Sequence, residues 1–371
     1  MQVERKGRIV FLDLMRVLAV FMMVQGHTVD TLLSDDYRDF SNPVFAVWGF
    51  MRGLTAPIFM FTSGTVFIYL FRSSGEGFQN NPRVLKGVKR FLLLLTAGYM
   101  LRYPTAELTN FAYVTEESWR IFFAVDVLQM IGFSLLFLMI AAYVGERFKF
   151  GDYSAFAFGA FFFFASHPIF EQIPWADYLP LPIAGYFYAG TGSNFPLFPW
   201  AGYVLCGGLL GSYLANNRTA LNPARLSLRL SLIGSGFLIL QVLINWAANR
   251  FGGEDYFGMT NPAFVAQRLG MVLLLTSLIS LLAIKIEAVP HTVKLVSRNT
   301  LLIYMVHLVI LYGSAWNTGF GRSFERSFNV WQTVVAAILM LAAMVGMVIL
   351  VNRGSNLFKT AISLPDRYYW R

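Results

Sequence analysis

Ten apolar segments run through this chain, and they constrain its fold more than any other feature. An α-helix needs about 20 mainly apolar residues to cross a bilayer. Charged residues make up only 13% of the chain, against about 25% in soluble proteins. We therefore expect an all-α integral membrane protein with about ten transmembrane helices, in a single polytopic domain over residues 1–371. The approximate bounds of the segments are 9–29, 45–71, 87–103, 120–144, 153–167, 197–215, 226–248, 264–286, 299–315 and 330–352.

The distribution of Lys and Arg among the connections predicts how these helices are oriented. With the N-terminus inside, most of the 29 Lys and Arg residues fall in cytoplasmic segments. An excess of basic residues marks the cytoplasmic side of a membrane protein. Both termini are therefore predicted to be cytoplasmic. The net charge of +9 follows from this topology, so it does not indicate a nucleic-acid partner.

Three ionisable residues lie inside the first apolar segment: Asp13, Arg16 and His27. The basic residues before this segment are also typical of a signal peptide, but its length and its charges favour a retained helix. Ionisable side chains in a membrane are costly and usually face a protein interior or a polar cavity. Arg16 and His27 are eleven residues apart, so they share one helix face about 16 Å apart along the axis. The three residues predict a polar stripe across most of the bilayer.

Polar residues of other segments are predicted to join His27 in the outer half of the membrane. Asp126 and Gln129 lie near the outer end of the fourth segment, three residues apart and thus neighbours on a helix. Arg52 has a similar depth in the second segment. A carboxylate beside a histidine fixes its tautomer and raises its basicity, as a general base requires. The alternative is that Asp126 only neutralises Arg52 or Arg268.

The ninth segment carries Tyr304 and His307 near the middle of the membrane. His307 is either a hydrogen-bonded packing residue or a member of the site, and the sequence leaves both open. The four histidines show no ligand spacing on one helix, so no metal site is expected.

A long connection between residues 167 and 199 is rich in aromatic residues, Pro and Gly and leads into Trp200. Long connections of this kind often act as lids or binding loops. Aromatic rings suit both sugar binding and the membrane interface, and the sequence does not separate these functions.

Five motifs in the same order along the chain resemble those of the transmembrane acyltransferase superfamily, which includes bacterial polysaccharide O-acetylases and heparan-alpha-glucosaminide N-acetyltransferase-like proteins. Arg16-x10-His27 resembles the first-helix signature of the O-acetylases. The other four resemble the heparan-acetyltransferase-like branch. They are Ala56-Pro-Ile-Phe-Met-Phe-Thr-Ser-Gly64, Asp126-Val-Leu-Gln-Met-Ile-Gly132, Phe195-Pro-Leu-Phe-Pro-Trp-Ala-Gly202 and Ser297-Arg-Asn-Thr-Leu-Leu-Ile-Tyr-Met-Val-His307.

The resemblance implies an enzyme that moves an acyl group from cytosolic acyl-CoA to an acceptor on the extracytoplasmic side of the membrane. It implies that His27 is the catalytic histidine and that Arg16 contacts the CoA arm. Asp126, expected in the same layer as His27, is the second residue predicted to be catalytic. The heparan-like branch often places a histidine before the Ala-Pro motif, where this chain has Arg52-Gly-Leu-Thr55, so His27 remains the catalytic candidate.

The remaining site residues are predicted from their positions along the proposed substrate paths. Asp13, Arg16, Tyr304 and His307 are predicted to line the path of acyl-CoA, since the arginine fork suits a diphosphate. The basic segment from Arg83 to Arg90 is the alternative diphosphate site. The set predicted to contact the acceptor or balance charge is Arg52, Gln129 and Trp200.

The expected function is transfer of an acetyl or other acyl group to a carbohydrate or carbohydrate-containing envelope molecule. Acyl-CoA is the donor substrate, no metal takes part, and the partners are the acceptor glycan and the bilayer. A homodimer is kept as an option. The alternative function is a transporter or flippase for a small anionic or glycolipid solute, in which the same charges would line a permeation path.

Overall fold

A computed structural model shows a bundle of long α-helices, and it describes residues 10–217, 222–251, 260–286 and 289–362. The helices of more than one turn are α1 Val10–Leu32, α2 Pro43–Arg72, α3 Arg83–Leu101, α4 Glu116–Phe123, α5 Val127–Arg147, α6 Gly151–Gln172, α7 Leu181–Ala184, α8 Leu197–Asn216, α9 Pro223–Phe251, α10 Pro262–Leu282, α11 His291–Arg298, α12 Thr300–Tyr312, α13 Gly321–Phe324 and α14 Val330–Ile362. A two-stranded antiparallel hairpin, β1 Gly313–Ser314 and β2 Asn317–Thr318, follows α12.

Eight of the described helices are long and apolar enough to cross a membrane, and the number rises to nine if α11 and α12 form one broken span. These two helices meet at a bend of 72°. A further helix, α3, has 19 residues, with four basic residues among its first eight positions, at 83, 86, 89 and 90. The prediction of an all-α membrane protein is confirmed, while the orientation of the termini stays a prediction.

Capping residues explain where several helices begin. The Asn42 side chain accepts hydrogen bonds from the first backbone N–H groups of α2, and Pro43 occupies the first helical position. Asn261 and Pro262 do the same for α10. Such caps satisfy donors that a helix leaves free at its N-terminus, and proline loses nothing there because that N–H is unpaired anyway.

Helices α2 and α8 form the most extensive contact of the bundle, because small residues let their backbones approach. A Cβ atom on Gly207 would lie 1.9 Å from the Phe61 carbonyl oxygen, and one on Gly64 would lie 2.0 Å from that of Val204. Any larger residue would therefore push the helices apart. Close contacts between small residues are typical of membrane helix pairs. This pair forms the rigid centre beside which α1 and α5 lie.

Three predicted segments differ from the observed helices. The fourth was expected to be one helix over 120–144, but it breaks at residues 124–126 between α4 and α5. The fifth was expected to end at 167, but α6 continues to Gln172 with Pro168 inside it. The ninth was expected over 299–315, but its helix α12 ends at Tyr312 and has only 13 residues, and it follows the bend with α11.

The break between α4 and α5 is held by the long connection before α8. The Val125 carbonyl accepts hydrogen bonds from the N–H groups of Asn194 and Phe195, both at 3.1 Å. The Val125 N–H donates to the Ser193 hydroxyl at 2.9 Å, and Arg120 donates to the Thr191 carbonyl at 3.0 Å. These hydrogen bonds replace the helical backbone hydrogen bonds that are missing at the break. The connection is therefore a folded support for the N-terminus of α5.

Candidate active site

The centre of the candidate site is a cluster of two histidines and a tyrosine between α1 and α12. The ring centroids of His27 and His307 are 5.4 Å apart. The Nδ1 atom of His27 and the hydroxyl oxygen of Tyr312 are 3.0 Å apart, which is hydrogen-bond distance. The Tyr304 ring lies 5.8 Å from the His307 ring in an edge-to-face arrangement. The tertiary structure thus brings the catalytic candidate of α1 together with both polar residues expected from the ninth segment.

One ring nitrogen of His307 has a hydrogen-bond partner, and the other has none among the described residues. Its Nδ1 lies 2.8 Å from the carbonyl oxygen of Ile303. A carbonyl oxygen only accepts, so Nδ1 carries the hydrogen and Nε2 of the neutral ring has a free lone pair. The residue is fully buried, yet Nε2 has no hydrogen-bond partner among the described residues. A buried acceptor in this state is costly and is ready to receive a proton or an N–H or O–H donor.

A salt bridge between Asp30 and Arg52 lies at the same end of α1 as His27. Asp30 follows His27 by three residues, so the two side chains are neighbours on the helix surface. The aliphatic part of Arg52 packs beside Gly26, where a Cβ atom would be 3.8 Å from the Arg52 Cγ. Arg52 is therefore in the predicted layer, but Asp30 is its carboxylate partner.

Asp126 is a helix cap and an ion-pair partner at once. Its Oδ1 accepts a hydrogen bond from the N–H of Val127 at 2.8 Å, and its Oδ2 lies 2.6 Å from an Arg102 nitrogen. The alternative that Asp126 neutralises Arg52 or Arg268 is wrong, because Asp126 forms its salt bridge with Arg102 at the end of α3. The charge of Asp126 still acts through space on His27 and Tyr304.

Gln129 lies one turn into α5 and is fully buried. Neither atom of its amide has a hydrogen-bond partner among the described residues. The amide rests on Gly98 of α3, where a Cβ atom would lie 2.5 Å from the Gln129 Cδ. Gln129 is thus a polar group between α3 and α5 whose donors and acceptor are unused.

Asp13 and Arg16 lie near the other end of α1 and bind the bend between α11 and α12. The Ser297 hydroxyl donates to the Asp13 Oδ1 at 2.5 Å. An Arg16 nitrogen donates to the Thr300 hydroxyl oxygen at 3.4 Å. The stripe of α1 therefore faces one partner along its length, since α11 and α12 contact it from Asp13 to His27.

Trp200 belongs to a different cluster. The Arg268 guanidinium carbon lies 5.6 Å from the centre of the Trp200 ring, and Tyr203 lies one turn further along α8, with its ring centroid 6.0 Å away. This cluster joins α8 and α10.

The connection before α8 contributes a tyrosine pair at the edge of the α5 N-terminus. The hydroxyl groups of Tyr99 and Tyr186 are 3.0 Å apart, and the Tyr186 ring packs edge-to-face on Phe133 at 4.7 Å. Burial, with a smaller effect of the Tyr99 hydroxyl, raises the pKa of Tyr186. This phenol therefore stays protonated at neutral pH and is a hydrogen-bond donor or acceptor, not a base.

Three residues of the site have no place in the sequence-based prediction: Asp30, Arg102 and Tyr312. Asp30 has a weak signal, since it lies one turn after His27. Tyr312 follows His307 by five residues, which does not indicate a shared helix face. Arg102 lies at the end of the third apolar segment, where the sequence indicates no partner for it. Within the described ranges, no group of three or more His, Cys, Asp or Glu side chains is placed to hold a metal ion.

A comparison with protein families matches residues 8–243 to the family described as heparan-alpha-glucosaminide N-acetyltransferase, catalytic. The match covers more than half of the chain and includes His27, Asp30, Arg102 and Asp126. No curated protein matches the chain. The extent of the family match, together with the membrane-spanning helices, shows that the chain belongs to the heparan-alpha-glucosaminide N-acetyltransferase catalytic family, a family of membrane acetyltransferases.

Proposed function

We propose that this protein transfers an acetyl group from acetyl-CoA, or a related acyl group from its CoA ester, to an acceptor on the extracytoplasmic side. The acceptor is a carbohydrate or a carbohydrate-containing molecule of the cell envelope, and the membrane is a bacterial inner membrane. The observation that carries the proposal is the His27–His307–Tyr312 cluster, in a chain of an acetyltransferase family. The cluster contains two imidazoles inside a helical bundle, and one of their nitrogens, the His307 Nε2, has no hydrogen-bond partner among the described residues.

His27 is the general base of the proposed reaction. A base must keep one ring nitrogen free, so the Nδ1–H of His27 donates to the Tyr312 hydroxyl oxygen in the active tautomer. The Nε2 atom then takes the proton from the acceptor hydroxyl or amine as that oxygen or nitrogen attacks the thioester carbonyl. The tetrahedral intermediate expels the CoA thiolate, and the His27 imidazolium returns the proton to sulfur. Transfer is direct, without an acyl-enzyme.

The charges around His27 have a supporting function. Asp126 and Asp30 are carboxylates whose fields act on the ring, and they favour the imidazolium that forms in the transition state. Arg102 and Arg52 hold these carboxylates in place through their salt bridges. Asp126 is thus an electrostatic partner of His27 and makes no hydrogen bond to it.

The donor is proposed to follow the stripe of α1. The pantetheine arm is long and thin, so it can pass from the cytoplasmic end near Asp13 and Arg16 to His27, which is about 16 Å further along the helix. Tyr304 and His307 would flank its outer part. The diphosphate binds near Arg16 or at the basic start of α3 between Arg83 and Arg90.

The test follows the acetyl group across a membrane. Proteoliposomes are given radiolabelled acetyl-CoA on one side and an envelope glycan extract on the other, and label is measured in the glycan and in the lumen. We expect label in the glycan and loss of the thioester, both abolished in His27→Ala and kept in His291→Ala, an exposed histidine. Movement of a solute without thioester cleavage would support a transporter and overturn the proposal.

A further inference from the structure

A second polar cluster lies away from the two histidines, between α6, α8 and α10. We call it the Arg268 cluster, and it consists of His167, Trp200, Tyr203 and Arg268. Trp200 is in the first turn of α8, Arg268 is in the second turn of α10, and His167 is in the last two turns of α6. All four residues therefore lie about 5–10 Å inside the same end of the bundle.

Arg268 differs in its surroundings from several other arginines of these helices. Arg52, Arg72 and Arg102 each form a salt bridge with a carboxylate. Among the described residues, no carboxylate lies within 4.0 Å of Arg268. Its guanidinium instead lies over the Trp200 ring. A cation inside a membrane normally has an anionic partner, so this site has a positive charge that the chain does not balance.

Two further polar groups of the cluster are unused. Tyr203 is fully buried, and its hydroxyl lacks hydrogen-bond geometry to any described residue although Arg268 is near enough to influence it. The Nδ1 of His167 is also a buried atom with no hydrogen-bond partner among the described residues, and Arg268 is the charged group with an electrostatic effect on this ring. One cation and two hydrogen-bonding groups thus lie in one cluster, and among the described residues no carboxylate pairs with the cation. The chemical complement of this set is an oxyanion.

We propose that the Arg268 cluster binds the phosphate group of an amphiphile. The guanidinium bonds two phosphate oxygens as a fork, the Tyr203 hydroxyl donates to one of them, and the His167 Nδ1–H donates to another. The depth of the cluster is that of the boundary between head group and acyl chain, so the apolar part of the ligand lies against the lipid-facing helix surfaces. The phosphate belongs either to a phospholipid of the bilayer or to a lipid-linked acceptor. This site does not depend on the proposed acetyl transfer.

The probe for this site is dodecyl phosphate, with dodecanol and inorganic phosphate as matched controls. The full-length protein is titrated in maltoside detergent, and the shift of its thermal unfolding midpoint is measured. We expect a saturable rise with dodecyl phosphate and none with dodecanol. Arg268→Gln should weaken the affinity on the order of 100-fold, since it removes a bidentate charged contact. Arg322→Gln, an exposed arginine, should leave it unchanged.

A second variant keeps the test valid if Arg268→Gln does not fold. Tyr203→Phe removes one oxygen from a packed ring, and it should weaken dodecyl phosphate binding roughly tenfold. Equal stabilisation by dodecanol, or equal affinity in wild type and both variants, would overturn the proposal. Stabilisation by inorganic phosphate at the same concentration would overturn the need for an amphiphile.

Two arms of the experiment separate the sources of the phosphate. If Arg268→Gln loses a phospholipid that copurifies with wild type in native mass spectrometry, the ligand is a bilayer lipid. If it instead raises the KM for the acceptor and keeps the copurified lipid, the ligand is the acceptor. Either result supports the site, and the binding measurement stands even if no acetyl transfer is found.

Discussion

Two charged clusters lie at opposite ends of the helical bundle and differ in how fully their polar groups are satisfied. At one end, Arg72 of α2 bonds both oxygens of Asp152, at 2.8 and 2.5 Å, and forms a salt bridge with Glu146. The Ser212 hydroxyl donates to Asp152 at 2.8 Å, and the N–H of Phe78 donates to Glu146 at 2.8 Å. We call these residues the Arg72 network. It joins α2, α5, α6 and α8.

The cluster around His27 is at the other end and is incomplete. The His307 Nε2 has no hydrogen-bond partner among the described residues, and the His27 ring has one side-chain hydrogen bond to a described residue, Tyr312. Most buried polar groups in proteins are hydrogen-bonded, and an exception needs a reason. The Arg72 network has a structural function, because all of its hydrogen bonds and salt bridges connect helices to one another. The His27 cluster still has a nitrogen, the His307 Nε2, that can form a hydrogen bond with a substrate. The predictions that follow test this difference.

The largest expected effect is that of His27→Ala on transfer. Removal of a general base lowers the rate by about 10²- to 10⁴-fold, while acyl-CoA binding and the thermal unfolding midpoint should stay near those of wild type. The measurement is transfer at saturating acetyl-CoA, alongside a binding titration. His291→Ala is the matched control. Full activity of His27→Ala would remove this residue from the mechanism.

The next effect is on stability and concerns the Arg72 network. Arg72→Met leaves Asp152 buried without its cation, and the loss of one partner of a buried ion pair costs about 3–5 kcal/mol. We expect a large fall in the unfolding midpoint in detergent, with unchanged transfer per folded molecule. Adding Asp152→Leu should restore part of the stability, since the orphaned charge is then gone. A stable but inactive Arg72→Met protein would contradict the structural function of the network.

The smallest effect is expected for His307→Phe, which keeps a ring and removes the unused nitrogen. Loss of a buried unpaired acceptor does not destabilise a protein, so the unfolding midpoint should be unchanged or higher. Transfer should fall roughly tenfold, the effect of one hydrogen bond to a polar or charged group. A large loss of stability with unchanged transfer would instead make His307 a packing residue.

The helices were predictable because an apolar segment of sufficient length has one stable state in a membrane. The exceptions are instructive. The break at residues 124–126 depends on hydrogen bonds between Val125 and residues 193–195, which are about 70 positions away in the sequence. The bend between α11 and α12 lies where Ser297 and Thr300 bind Asp13 and Arg16. In both places, residues far away in the sequence form hydrogen bonds with the backbone or with charged side chains. The hydropathy of a segment contains no information about such contacts.

The sequence predicted which residues belong to the candidate site better than it predicted which of them interact with each other. His27 and Arg52 were expected in one layer because their depths in adjacent helices match. Their partners Tyr312 and Asp30 were not expected, since neither depth nor charge says which of several acids and hydroxyls will meet a given side chain. The same holds for Asp126, whose cation is Arg102 and not Arg52 or Arg268.

The sequence by itself determined that this is an all-α membrane protein, and its ordered motifs indicated the acetyltransferase family. Both follow from local properties: segment length, apolar content and the spacing of a few residues. Only the tertiary structure decided which polar groups are satisfied. It completed the Arg72 network, and among the described residues it left the His307 Nε2, the Tyr203 hydroxyl and the His167 Nδ1 without hydrogen-bond partners. That distinction depends on the angles and distances between helices, because a buried polar group is costly or useful according to what the neighbouring helix offers it.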